Sequence, residues 1–202
     1  MVKKLLRTIY KKYLISKFKK KAIINKCVNF NRTSSITISD GSTRNDIIIG
    51  NNVVMHARLL SQNGGKIIFE NNTQIGYSSF VGAIDSIIIG EGSVISNNVT
   101  IVDNNNHPVN PYDRIIMQKS PISSDYRKWK YSESNSIIIG KNVWVGQYAR
   151  ICKGVIIGDN SIVAANAVVT KRVPPNSIVA GNPGKIVKTD IDKLPRVFKE
   201  EL

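Results

Sequence analysis

From Ile139 onward a β-branched aliphatic residue returns every six positions, at Ile139, Val145, Ile151, Ile157, Val163 and Val169. Ile and Val make up about a quarter of the chain, so six such hits at one fixed register would arise by chance roughly once in 4,000 trials. Four positions after each lie Val143, Ala149, Val155, Ser161, Ala167 and Val173, while Gly140, Gly146, Gly158 and Ala164 fall in the position immediately following. This spacing predicts inward packing alternating with tight turns, the glycines supplying the turns. The first half repeats in blocks spaced by 20: Ile47-Ile48-Ile49-Gly50, Ile67-Ile68-Phe69-Glu70 and Ile87-Ile88-Ile89-Gly90. Three hexads make one triangular coil of a β-solenoid, and the two extra residues of each early coil are expected to bulge at a corner. A helical fold would need a 3.6-residue period, and a sandwich would need strict two-residue alternation.

The remaining segments divide the chain. Residues 1–26 hold ten Lys and Arg and no acid. The rest carries nineteen cations against fourteen acids, so most of the formal charge of +15 sits in this one segment. Leu5, Leu6, Ile9, Tyr10, Tyr13, Leu14 and Phe18 recur within it at spacings of three and four, which predicts an amphipathic basic helix. Three destinations stay open for it: packing on the body, contact with an anionic membrane surface, or attraction of an acidic polymer. Nucleic acid is not expected, because aromatic platforms and a recognition motif are missing. The expected domains are therefore 1–26, a solenoid over 27–188, and a tail or short helix over 189–202. Between Ile101 and Ser136 the hexad register vanishes, which predicts a long structureless loop over 102–136. Cys27 and Cys152 are the only cysteines and His56 and His107 the only histidines, too few for a disulfide framework or a three-histidine metal site. No apolar run reaches the roughly 20 residues of a membrane span, and a cytoplasmic location is expected.

With Asn142-Val143-Trp144-Val145-Gly146, Gly158-Asp159-Asn160-Ser161 and Ile178-Val179-Ala180-Gly181-Asn182-Pro183, the sequence resembles the hexapeptide-repeat acyltransferases. Within them it is most similar to bacterial sugar O-acetyltransferases acting on galactosides, capsule, polysialic acid or O-antigen. The resemblance covers about residues 46–188. It implies an all-β fold, a left-handed parallel β-helix with a long inserted loop, a basic N-terminal helix and a short C-terminal helix. It further implies a homotrimer with acetyl-CoA, the donor, in the groove between neighbouring chains, and no metal.

The same resemblance distributes the site residues. Moving an acetyl group from a thioester to a hydroxyl needs a base for the hydroxyl proton and donors for the oxyanion. His107, followed by Pro108 in the loop, matches the family's catalytic histidine, whereas His56 reads as structural. Asp103, four residues earlier, either orients the His107 ring or forms a turn at the loop start. Trp144 matches an acceptor-site tryptophan, and Tyr77, Arg127 and Trp129 are expected at the acceptor. Gly146, Gln147, Ala165, Ala167, Thr170, Lys171, Arg172 and Lys185 match positions that meet acetyl-CoA, the last four suiting an anionic ligand. The galactoside enzymes carry an acceptor-binding asparagine about thirty residues before the histidine, where this chain has Gly76, Tyr77 and Ser78, so acceptor recognition is expected to differ. The competing reading is an N-acetyltransferase acting on an amino-sugar nucleotide.

Overall fold

The structure, a computed structural model, describes residues 2–198. Met1, residues 199–202, and the side chains of 2–5 and 7, among them Leu5 of the predicted stripe, lie outside the described residues.

The hexads stack as a three-faced prism. Each turn of the chain contributes one strand to each face, and every solenoid strand pairs in parallel with its counterpart one coil away. The first face runs through Ile23–Ile24, Ile47–Ile49, Lys66–Phe69, Ser86–Ile89, Ile137–Ile139 and Ile156–Ile157. The second includes Asn29–Phe30, Val54–Met55, Gln74–Ile75, Val94–Ile95, Trp144–Val145 and Ile162–Val163. The third includes Ser35–Ser39, Arg58–Gln62, Phe80–Ala83, Thr100–Val102, Arg150–Ile151 and Val168–Val169. The residues returning at six all point inward and are buried. So are those four positions further on, which pack the corners. The two extra residues of the early coils fall where the third face turns to the first, between Val81 and Ile89, with Ala83 and Ile87 buried in the widened corner.

The corners correct one expectation. The left-handed backbone position between the first and second faces is held mostly by asparagine, at Asn52, Asn72, Asn142, Asn160 and Asn176 with φ between 52° and 60°, and in two other coils by Cys27 at 59° and Gly92 at 72°. Asparagine tolerates this conformation better than other residues with a side chain. Its amide then reaches the next coil, Asn142 Nδ2 donating to Asn160 Oδ1 at 3.0 Å and Asn160 Nδ2 to Asn176 Oδ1 at 2.9 Å. The glycines after the inward residues have a different role. A Cβ on Gly90 would lie 2.5 Å from the backbone of Gly140, and one on Gly146 would lie 2.5 Å from Ala165 N. They permit close approach of stacked coils rather than the turn itself.

Both ends of the prism are covered, as stacked repeats require. At the N-terminal end α1 (Val2–Lys19) buries Leu14 and Phe18, Phe18 meeting Phe30 at 4.8 Å between ring centroids. Leu6, Ile9 and Tyr13 of the same helix remain exposed. The first solenoid strand, Ile23–Ile24, lies inside the segment read as 1–26. At the far end Lys185–Lys188 turns back antiparallel on Ile178–Ala180. The short C-terminal helix is a single 3-10 turn, Ile191–Lys193.

The interruption leaves the prism after Val102 and returns at Ile137, with Ile87 still paired directly to Ile137 as if nothing intervened. It is not structureless. Asn110 caps α2 (Pro111–Lys119), its Oδ1 accepting from Tyr112 N at 2.8 Å, and two 3-10 turns follow at Asp125–Arg127 and Trp129–Tyr131. An Asn cap followed by Pro at the first helical position was readable in the sequence as a helix start.

Candidate active site

His107 is exposed on the loop just after it leaves the prism. Its position is built from the buried corner upward. Asp103 and Asn104 are buried, and Asn104 Oδ1 accepts from Asn106 N at 2.8 Å, holding Asn106 in a left-handed turn at φ 65°. The turn presents His107 outward. His107 Nδ1 lies 2.9 Å from the carbonyl oxygen of Pro108. A carbonyl only accepts, so Nδ1 carries the proton and the neutral ring keeps its lone pair on Nε2. An exposed imidazole with a fixed tautomer and a free Nε2 is equipped to take a proton from a hydroxyl.

Asp103 does not orient this ring. Its carboxylate accepts from Ile84 N at 3.0 and 3.1 Å, from Asp85 N at 2.8 Å and from Asn104 Nδ2 at 3.0 Å. Burial pushes its pKa up, opposed by the hydrogen bonds from Asn104, Asp85 and Ile84. Of the two readings of Asp103, the structural one holds. The carboxylate closes the widened corner beneath the loop, and it acts on His107 only by fixing where the loop departs.

Two residues expected at the acceptor are occupied elsewhere. Arg127 donates from Nε to Ser120 O at 2.8 Å and from Nη2 to Gln118 O at 2.7 Å, pinning the end of α2. Trp129 packs over Gly82, where a Cβ would lie 2.8 Å from the indole, and meets Phe80 edge-on at 6.3 Å. Lys128 adds a 2.9 Å ion pair to Asp40. Trp129 and Lys128 fasten the loop against the third face, and Arg127 ties the loop to itself.

The residues expected around the donor gather along another edge of the prism, between the second and third faces. Tyr77, Asn97, Gln147 and Ala165 occupy equivalent positions in successive coils. Asn98 N bonds to Tyr77 O at 2.9 Å, Tyr148 N to Asn97 O at 3.2 Å, and Asn166 N to Gln147 O at 2.8 Å. Asn97 Oδ1 also accepts from Tyr77 N at 2.8 Å. Tyr77, Gln147 and Ala165 are exposed, and Trp144, three residues before Gln147, stands 53% exposed on the second face between Val94 and Ile162. Ala167 departs from expectation. Its side chain is buried in the core, its N–H donates to Ala164 O and its carbonyl accepts from Arg150 N, which leaves only the second lone pair of that carbonyl. Thr170, Lys171 and Arg172 are exposed at the end of the third face. Lys185 joins them because Gly184 N bonds to Val168 O at 2.8 Å, which brings cations together at the C-terminal end of the prism.

His56 lies near the same edge. Read as structural, it lies one coil before Tyr77 on this edge, the two rings 4.6 Å apart at 36°, and it lines a hollow with Lys11 and Arg32. Burial first, and then the charge of Lys11, lower its pKa below the ordinary value of 6.5. The spacing of 21 between His56 and Tyr77, close to one early coil, was the available signal. The approach of α1 was not visible in any repeat.

Within one chain the loop and this edge remain apart. The loop starts at the edge between the third and first faces, and the hollows holding His56, Tyr77 and Gln147 are lined by no loop residue.

Residues 136–171 match the bacterial transferase hexapeptide (six repeats) family and residues 66–102 the hexapeptide repeat of succinyl-transferase. Among relatives, WbbJ of Escherichia coli, provisionally assigned as a lipopolysaccharide biosynthesis O-acetyl transferase, is 35% identical over 124 residues, covering 61% of each chain. The galactoside O-acetyltransferase of Escherichia coli is 35% identical over 114 residues, 54% of this chain and 56% of that one. The chain thus spans about three fifths or less of the length of these relatives. Among solved structures, a galactoside acetyltransferase in complex with coenzyme A superposes with a TM-score of 0.57 at 25% identity, covering 93% of this chain and 76% of that one. The polySia-specific acetyltransferase NeuO superposes at 0.54 and 25%, covering 88% and 85%. AntD, an N-acyltransferase from Bacillus cereus, reaches 0.65 over 88% of each chain at 18% identity, a likeness of fold alone.

Proposed function

Because the chain belongs to the hexapeptide-repeat transferases and has their left-handed β-helix, we propose that it moves an acetyl group from acetyl-CoA to a hydroxyl of a sugar in a bacterial surface glycan. The observation that carries this reading is His107, exposed on an anchored loop with Nδ1–H on the Pro108 carbonyl and Nε2 free. Nε2 takes the hydroxyl proton as the sugar oxygen attacks the thioester carbonyl carbon. The tetrahedral oxyanion then collapses, the carbon–sulfur bond breaks, and the thiolate of CoA takes the proton from the imidazolium. Exposed Thr170, Lys171, Arg172 and Lys185 meet the anionic end of CoA, and the edge at Gln147 and Ala165 meets its extended arm.

The site is completed by a second copy in a homotrimer, His107 of one chain facing the Tyr77–Gln147 edge of the next. Support comes from the separation of loop and edge within one chain, and from Tyr112, Ile115, Ile116 and Ile122, apolar or aromatic residues left exposed on the loop. The test is release of CoA, followed with a thiol-reactive dye, from acetyl-CoA plus polysialic acid, neutral O-antigen polysaccharide, simple galactosides and amino-sugar nucleotides. Release dependent on a hydroxyl acceptor is expected. Release with the amino-sugar nucleotide alone would replace this reading with amine acylation.

Among the described residues no helix is long and apolar enough to cross a membrane. The exposed Leu6, Ile9 and Tyr13 beside the lysines of α1 support contact with the surface of an anionic bilayer, where each cation contributes roughly 1 kcal/mol. The protein is expected to sediment with vesicles containing phosphatidylglycerol at low salt, to stay in solution with phosphatidylcholine alone, and to be released by 0.5 M salt, a concentration that collapses the screening length to roughly 4 Å. Failure to sediment at low salt would remove membrane contact from the reading.

A further inference from the structure

The groove of about 730 Å³ between α1 and the first coils has a chemistry that the transfer reaction does not require. Lys11 and Arg32 line it, and no lining residue is acidic. The Arg32 guanidinium lies over the ring of Tyr10, 5.8 Å from its centroid, and neither cation forms an ion pair among the described residues. Tyr77, about half exposed, stands on His56 and offers an aromatic face. Aromatic faces of this kind pack against the apolar C–H face of a sugar ring.

Asn31 forms part of the wall. Its Oδ1 accepts from Thr33 N at 2.9 Å and Ser34 N at 2.8 Å, and from the hydroxyls of both residues, which fixes the orientation of the amide. Its Nδ2 is buried with no hydrogen-bond partner. The amide is thus held rigidly beneath the wall of the groove that Asn31 lines, out of reach of a bound molecule. Two cations without an ion pair and an aromatic platform together describe a ligand with negative charge and a ring with an apolar face.

We propose that this groove binds an anionic sugar residue of the acceptor glycan, its carboxylate or phosphate held by Lys11 and Arg32 and its ring on Tyr77. The identification of the occupant as part of the acceptor rests on the acetyl-transfer reading, whereas the binding of an acidic sugar does not. Position supports the link. Tyr77 belongs both to this groove and to the edge that continues through Asn97 and Gln147, so a glycan seated here extends along the edge assigned to the donor.

The test is binding to the full chain without acetyl-CoA, read from the imidazole resonances of His56, which the His107→Ala variant distinguishes from those of His107. The probes are N-acetylneuraminic acid for a carboxylate, glucose 1-phosphate for a phosphate, and glucose as the neutral counterpart. One or both acids are expected to shift the His56 signals at concentrations where glucose does not, the better binder naming the anion. The double variant Lys11→Gln/Arg32→Gln, with both changes on the surface, is expected to weaken that binding about ten- to hundredfold, the range for hydrogen bonds to charged groups. Binding of glucose equal to that of the acids, no binding of either acid, or acid binding unchanged in the double variant would each overturn the proposal. The transfer reading is judged separately. Acid binding lost in the double variant, with no CoA released in the acceptor panel, would leave the groove standing and remove acetyl transfer; transfer confined to neutral glycans and unaffected by the double variant would do the reverse.

Discussion

His107→Ala is expected to lower kcat for acetyl transfer by about 100- to 10,000-fold, the range that general base catalysis supplies. The side chain is exposed and its one hydrogen bond is local, to the carbonyl of the next residue, so its removal leaves the core and the anchors of the loop in place. The melting temperature should therefore stay within a degree or two while turnover collapses. That split identifies a chemical role. Turnover within a few-fold of the parent would show that the proton goes elsewhere and would remove His107 from the mechanism.

The second large effect is on stability, at Asp103. Asp103→Ala leaves the N–H groups of Ile84 and Asp85 and the amide of Asn104 without their acceptor in a corner that is buried at Asp103 and half-buried at Ile84. An unsatisfied buried group costs about 1–3 kcal/mol and one that water reaches costs less, so a total loss of about 2–3 kcal/mol is expected in chemical denaturation. The pH dependence has a definite sign. Burial raises the pKa in the folded state above the ordinary 3.8, so in the interval between the two values the folded protein holds a proton that the unfolded chain has released. The contribution of Asp103 to stability thus increases as pH falls through that interval, opposite to the behaviour of Asp125, whose carboxylate is drawn down by Lys128 and Lys130. Asp103→Asn separates position from chemistry. An aspartate orienting the catalytic ring would cost several orders of magnitude in kcat when changed to asparagine, whereas a corner residue loses stability and keeps kcat within about tenfold.

The solenoid was legible because its determinants are local and periodic. A residue at Ile139 and its counterpart at Ile157 obey the same rule one coil apart, and the spacing alone carries them to the same buried column. The turn residues were legible in kind but not in role. Gly146 was read as a turn, yet it is mostly the asparagines that take the left-handed backbone, while glycine admits the next coil at a distance no Cβ allows. His107 was singled out through the motif and its place in the interruption. Asp103, Arg127 and Trp129 meet other partners because a place in or beside the loop carries no information about which backbone donors, carbonyls or rings a side chain meets in space. The groove beneath α1 lay beyond reach because it depends on how a non-repetitive helix docks on the first coils.

The insertion of 103–136 leaves the pairing of Ile87 with Ile137 intact, and the coils on either side stack as neighbours. The free energy of the stack is held in contacts that the loop does not share, apart from fastenings such as Trp129 on Gly82 and the carboxylate of Asp103 in the corner. The loop can therefore be lengthened, shortened or rewritten with little effect on the scaffold. The part of the chain that varies most cheaply is the part that the stack does not need.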